Sequence, residues 1–227
     1  MSLNDNSAMA SHAKKSYIKK LIEEGENQQL DFKFAVNDSR KIARSIVAFA
    51  NTDGGRLLIG VKDNGVIAGI NSTEELHMIE TAAHIFSRPQ IDFKGLEWNI
   101  EGKIILEITI QQGPKRPYYA QDEFNHWNAW IRQDDRDIKA PKIWIEYWKR
   151  KSSGEMTTLS YGPTEKFFLQ MLEKQGLVSI ESFRRLLGIS THYANEMVLQ
   201  LMLMDIIGIR FEDDKPFFYL KNGPSSL

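Results

Sequence analysis

The spacing of apolar positions changes repeatedly along the chain, and each change marks an element. Between Lys14 and Glu24, Tyr17, Ile18, Leu21 and Ile22 recur at helical spacing among lysines and glutamates, and Gly25 stands where such a helix stops. Leu30 to Phe34 alternates strictly, so a strand is predicted with Leu30, Phe32 and Phe34 on one face and Asp31 and Lys33 on the other. Asp38 or Ser39 caps a second helix running to about Ala50, with Ile42, Ile46, Val47 and Phe49 turned inward. Gly54-Gly55 ends it and leads into Arg56 to Val61, a strand apolar enough to be buried on both faces. Asn64-Gly65 is the pair preferred by a type I′ turn, which folds Val66 to Ile70 back as a hairpin.

A third helix is expected from Ser72 or Thr73 to about Ser87, ended by Arg88-Pro89. A second hairpin follows, with Ile91 to Ile100 joined through Glu101-Gly102 to Lys103 to Gln111. Short strands near Tyr118 to Ala120 and over Trp127 to Arg132 precede a helix opened by Pro141 and carrying Ile143, Trp144, Tyr147 and Trp148. The segment from Lys149 to Gly162 is polar, and from Thr164 the pattern becomes helical: Glu165 to Lys174, Ile180 to Leu187, and Thr191 to about Asp205, then two short strands between Ile207 and Leu220. Three helices and a hairpin outline a winged helix-turn-helix. The predicted organisation is a flexible N-terminus over 1–13, a mixed α/β (α+β) domain over 14–150, a linker over 151–162 and a small winged helix-turn-helix domain over 163–227.

Composition narrows the function classes. A chain of 227 residues, 42% hydrophobic and 26% charged, has the make-up of one or two folded domains. It has no cysteine, which excludes disulfides, Cys-ligated zinc, iron–sulfur clusters and thiol nucleophiles. The five histidines, at 12, 77, 84, 126 and 192, include no pair at zinc-ligand spacing. There is no long uncharged apolar run and no secretory h-region, so the expectation is a cytoplasmic protein with no membrane partner. A formal net charge of -1 gives the whole molecule no bulk attraction to nucleic acid, so any such binding requires a local basic face.

Candidate chemistry gathers near the first strand. Glu26, Asp31 and Lys33 fall within one helix-to-strand passage, and Asp63 ends the strand expected beside it. Three carboxylates converging on one edge repel unless a cation holds them. A divalent ion with oxygen ligands, Mg²⁺ or Mn²⁺ on Glu26, Asp31 and Asp63, satisfies that requirement, with Lys33 facing a scissile phosphate. The same residues also suit everyday roles: a solvated strand face, a helix end and the start of a turn.

Glu26 followed by "LDFKF", then "IVAFANTDGGRLLIGVKDNGVIAGI", "KRPYY" and "AWIRQDDRDIKA", resembles the Schlafen AlbA-2 domain, also known as the divergent AAA-4 family, over roughly residues 15 to 150. The resemblance implies an α/β domain that binds nucleic acid, in bacteria often joined to a winged helix-turn-helix and described as a transcriptional regulator. In eukaryotic Schlafens a similar domain is a metal-dependent ribonuclease acting on structured RNA such as tRNA. By that resemblance its three acids and lysine fall on Glu26, Asp31, Lys33 and Asp63. The chain departs from the pattern in having Asp rather than Glu at 31, and Asp134, Asp135 and Asp137 where a glycine-serine turn is common. It has no G-x-x-x-x-G-K-[ST] motif, so ATP hydrolysis is not expected.

Candidate phosphate contacts lie in three places. Lys14, Lys15, Lys19 and Lys20 line the first helix, and Arg40, Lys41 and Arg44 the second; either set is also what a solvated helix face looks like. Arg116, Arg132 and Arg136 form another group, with Tyr118 and Tyr119 near enough in sequence to stack on a base or to pack in a strand. In the C-terminal module, Thr191, His192, Tyr193 and Asn195 begin the expected recognition helix. From Tyr161 to Leu227 there are seven Lys or Arg against eight Asp or Glu, so this module is near neutral with an acidic wing tip. Three functions fit: a nucleic-acid-binding regulator, homodimeric by analogy with the paired lobes of eukaryotic Schlafens; a Mg- or Mn-dependent endoribonuclease; and a protein-interaction adaptor.

Overall fold

The computed structural model describes residues 16–70, 74–154, 161–212 and 215–221. Lys14 and Lys15, the expected helix start at Ser72 or Thr73, half of the predicted linker and the wing tip at Asp213-Asp214 lie outside these. The chain divides into two compact units, Met1–Ala140 and Pro141–Leu227.

In the first unit, helix α1 (residues 16–24) precedes β1 (Leu30–Lys33), α2 (Ser39–Asn51) and β2 (Gly55–Ile59). The β1–α2–β2 crossover makes β1 and β2 parallel, with Asp31 beside Leu57 and Lys33 beside Ile59. Asp38 caps α2 by accepting the Arg40 N–H at 2.8 Å. Beyond α2, Gly54 adopts φ +71, where an added Cβ would lie 2.8 Å from the Ile110 carbonyl oxygen, so only glycine permits this sharp entry into β2. Helix α3 (Glu74–His84) and the short β3 (Ser87–Arg88) lead to the hairpin β4 (Phe93–Ile100) and β5 (Lys103–Ile110). The resulting sheet has the order β1-β2-β5-β4.

Both faces of this sheet are covered, as the continuous apolar run of β2 predicts. Leu57 and Ile59 meet Ile46, Val47 and Phe49 of α2 and Ile79 and Ala83 of α3, whereas Leu58 faces the other way onto Ile18 and Leu21 of α1. Leu30 and Phe32 join that second cluster, but Phe34 lies past the end of β1 and is 56% exposed. The expected type I′ turn does not form, because Gly65 alone takes positive φ and Asn64 does not. Lys62 instead bonds Val66 across a three-residue loop closed by a left-handed glycine.

The rest of the unit consists of short hairpins. Strands β6 (Tyr119–Gln121) and β7 (Trp127–Asn128) join β3 in the order β3-β6-β7, and β8 (Trp130–Gln133) pairs with β9 (Arg136–Lys139). The predicted strand over Trp127 to Arg132 is thus two strands in two sheets, and β9 was hidden because its turn uses Asp134 at φ +54 rather than a glycine.

The second unit begins with α4 (Lys142–Ser153), followed by α5 (Pro163–Gln175), β10 (Val178–Ser179), α6 (Ile180–Leu187), α7 (Thr191–Leu203), β11 (Ile207–Glu212) and β12 (Lys215–Leu220). Its sheet has the order β10-β12-β11. Ser179 and Ser190 cap α6 and α7, and Phe168 packs edge-on against Phe183 at 4.6 Å in the core. The sequence pattern places α4 with the first domain. The break instead falls at Ala140–Pro141, and Arg150 of α4 makes two 2.9 Å bonds to Glu196 of α7, the paired geometry an arginine fork favours. Among the described residues no helix is long and apolar enough to cross a membrane.

Candidate functional site

Parallel pairing with β2 turns Asp31 and Lys33 to the same side of β1, and the chain before the strand folds back so that Glu26 reaches them. A Glu26 carboxylate oxygen accepts the Phe32 N–H at 2.9 Å. Lys33 Nζ lies 2.5 Å from Asp31 Oδ2 and donates to the Phe32 carbonyl at 3.0 Å. That ammonium approaches Oδ2 outside hydrogen-bonding angles, so this buried oxygen has charge beside it but no aligned donor. Burial, together with the hydrogen bond and negative charge of Asp31, raises the Glu26 carboxyl from 4.5 to about 7. Glu26 therefore stays partly protonated near neutrality.

Asp31 is 3% exposed, against the sequence expectation of a solvated strand face. Arg132 is the reason. Also 3% exposed, it donates from Nη2 to Asp31 Oδ1 at 3.2 Å and to the Leu30 carbonyl at 3.3 Å, from Nη1 to Asp137 Oδ1 at 3.0 Å, and from Nε to the Asn27 carbonyl at 3.3 Å. Its guanidinium lies over the Phe49 ring at 5.2 Å. Asp137 also accepts the Ser45 hydroxyl at 2.6 Å, with Arg44 Nε 3.9 Å away. Arg132 was read from the sequence as a phosphate contact; it is instead a buried clamp with its donors already engaged. Ser45 was missed, and Asp137 was noted only as a departure from the family pattern, since only folding brings β9 and α2 against β1.

Asp63 stands in the exposed turn after Val61 and does not join Glu26 and Asp31. Among the described residues no three His, Asp or Glu side chains form a group that could hold a metal ion. As folded, then, the residues do not fit a three-carboxylate Mg²⁺ or Mn²⁺ site. The Asp31 charge is met by Lys33 and Arg132 instead.

Cations gather elsewhere on the unit. Arg40, Lys41 and Arg44 on α2 line a cleft of about 190 Å³ with Gln121, Asp122 and Trp130. Arg40 lies over the Phe86 ring at 4.5 Å and Arg44 over Trp130 at 5.1 Å. Neither Arg40 nor Lys41 pairs with a carboxylate among the described residues. Arg136 is exposed on β9, while Arg116 leans toward the Asn51 carbonyl at 3.5 Å. Tyr118 is buried just before β6, its N–H bonded to Asn51, so it is a packed core residue. On α1, Lys20 is exposed and Lys19 lies 3.9 Å from Glu101. In the second unit, Thr191, His192 and Asn195 are exposed on the first turn of α7, and the Tyr193 hydroxyl is occupied by Glu165 at 2.8 Å.

No curated protein matches the chain significantly. Among solved structures it is similar to the DIP2311 protein of Corynebacterium diphtheriae, with 18% identity and a TM-score of 0.44 over 65% of this chain and 29% of that one. The chain therefore corresponds to well under half of DIP2311. It is also similar to the N-terminal domain of an ATP-dependent DNA helicase RecG-related protein from Nitrosomonas europaea, with 18% identity and a TM-score of 0.39 over 55% of this chain and 90% of that one. The family model "Schlafen, AlbA_2" matches residues 26–141, which span the passage into β1, helices α2 and α3 and every hairpin of the first unit. The chain belongs to the Schlafen AlbA_2 family.

Proposed function

We propose that this protein binds nucleic acid and regulates transcription. The observation that carries the reading is the outer face of α2, where Arg40, Lys41 and Arg44 converge on one cleft although the chain as a whole has a net charge of -1. These three neighbouring cations supply local phosphate attraction, set against Asp38, Asp122 and Glu123 on the same cleft. The order α5, α6, α7 and hairpin in the second unit supports a winged helix-turn-helix, with Thr191, His192 and Asn195 at the start of its recognition helix. A homodimer belongs to this reading, because two recognition helices match a two-fold site.

The test is fluorescence anisotropy of labelled tRNA, single strands and duplex DNA at low ionic strength. Binding that weakens with salt, with a shallower salt slope in Arg40→Glu and Arg44→Glu, is expected. No binding to any of the probes overturns the reading and leaves a protein-interaction adaptor.

The meeting of Glu26, Asp31 and Lys33 favours a second reading, a Mg- or Mn-dependent ribonuclease acting on structured RNA such as tRNA. It requires a further oxygen ligand that Asp63 does not bring in this arrangement. Incubating tRNA with Mg²⁺ or Mn²⁺ compares wild type with Asp31→Asn. Equal cleavage by both, or none by either, removes the enzyme.

A further inference from the structure

The cations of the first unit are not spread as solitary charges. Three of them lie over aromatic rings: Arg40 over Phe86 at 4.5 Å, Arg44 over Trp130 at 5.1 Å, and Arg88 over Trp127 at 4.5 Å. A fourth, Lys139, approaches the same Trp130 ring at 5.7 Å. The short strands place these couples on one side. Ser87 is buried and Arg88 exposed, Phe86 is half-buried with one side against the core, and β6 brings Gln121 across from Trp127. Arg40 and Arg44, one helical turn apart on α2, project beside this surface.

We infer that this surface is a binding platform for single-stranded nucleic acid, in which unpaired bases stack on the Trp127, Trp130 and Phe86 couples while the arginines meet the phosphates. The inference rests on the nucleic-acid reading above and adds the class of strand and the mode of contact. A guanidinium and an aromatic ring each offer a planar face on which a base can stack, and base–aromatic stacking tolerates any sequence because every base has a π-face. Duplex bases are already stacked on one another and cannot use such faces.

Two further features favour a single strand. The cleft between Arg40, Arg44 and Trp130 holds about 190 Å³, small beside the about 300–1,000 Å³ of drug-sized pockets, so it suits one flat group. At the tip of the β6–β7 hairpin, Phe124 is 71% exposed, yet its turn is pinned by Asp122, whose carboxylate accepts the Phe124 and His126 N–H groups at 3.0 and 2.8 Å and Asn128 Nδ2 at 3.0 Å. Asp38, Asp122 and Glu123 also line the cleft; Asp38 is engaged in the α2 cap and Asp122 in this turn.

The experiment measures binding of the full chain to a labelled single-stranded oligonucleotide, as RNA and as DNA, and to the same sequence as a duplex, with tryptophan emission recorded in parallel. At least tenfold tighter binding of either single strand than of the duplex is expected, with quenching of tryptophan emission. Trp127→Leu is expected to weaken single-strand binding about five- to a hundredfold. Arg88→Lys, which keeps the charge and loses the planar group, is expected to weaken it as well. Both variants change the surface, and unchanged thermal melting confirms that they fold. Duplex binding as tight as single-strand binding, or undiminished single-strand binding by folded Trp127→Leu, overturns the platform while leaving nucleic-acid binding intact. Failure to bind either form overturns the parent reading as well.

Discussion

Arg132 and Asp31 meet at 3.2 Å with almost no exposure to solvent, joining the β8–β9 hairpin to the first strand of the main sheet. The same guanidinium reaches Asp137 at 3.0 Å, so one cation serves two buried carboxylates. Removing it leaves both charges in a poorly solvated site. Arg132→Met is therefore expected to cost about 3–5 kcal/mol, read from urea unfolding. Arg132→Lys rescues little, because an ammonium lacks the fork that spans both acids.

Glu26 makes stability depend on pH with a definite sign. Its folded carboxyl is raised from 4.5 to about 7, mainly by burial and then by Asp31, so the folded state binds the proton more tightly than the unfolded chain. This contribution is complete below about 4.5 and is lost as the pH rises through about 7. Glu26→Gln, which stays neutral, is expected to gain stability relative to wild type as pH climbs through that window. A difference between the two that is flat with pH would contradict the assignment.

Glu107 anchors α1 on the second face of the sheet. Only 2% exposed, it accepts Tyr17 OH at 2.7 Å and Trp98 Nε1 at 2.8 Å, and lies 3.3 Å from Arg56 Nε. Tyr17→Phe should cost about 1.5–3 kcal/mol, the range for a hydrogen bond to a charged group. Burial and the Glu107 carboxylate also push the Tyr17 phenol up to about 12, and Glu107→Gln is expected to bring it down in a spectrophotometric titration.

Gly54→Ala tests the turn between α2 and β2. The positive φ alone costs about 1–3 kcal/mol for a residue with a side chain. The new methyl also meets the Ile110 carbonyl oxygen at 2.8 Å, a backbone atom of β5 that has no room to shift. Thermal unfolding should place this variant well below a Lys41→Ala control at an exposed position of α2.

Local pattern alone was enough to read the capped helix α2, the doubly buried strand β2, the β4–β5 hairpin and the helices of the second unit. Each is dictated by neighbours within a few residues, through periodicity, a capping Asp or Ser, or a glycine at positive φ. The family likeness was legible for the same reason, since its most specific part is one contiguous run around Ala48 to Ile70. What Asp31, Asp63 and Arg132 do was not legible. Their roles depend on which segments meet: Arg132, about a hundred residues beyond Asp31, buries that acid and supplies its counter-charge, while Asp63 stays in a turn outside the group. The stacked couples Arg44–Trp130 and Arg88–Trp127 are likewise products of tertiary structure. Sequence spacing records which chemistry is available, but only long-range packing sets the distances over which charges and rings act.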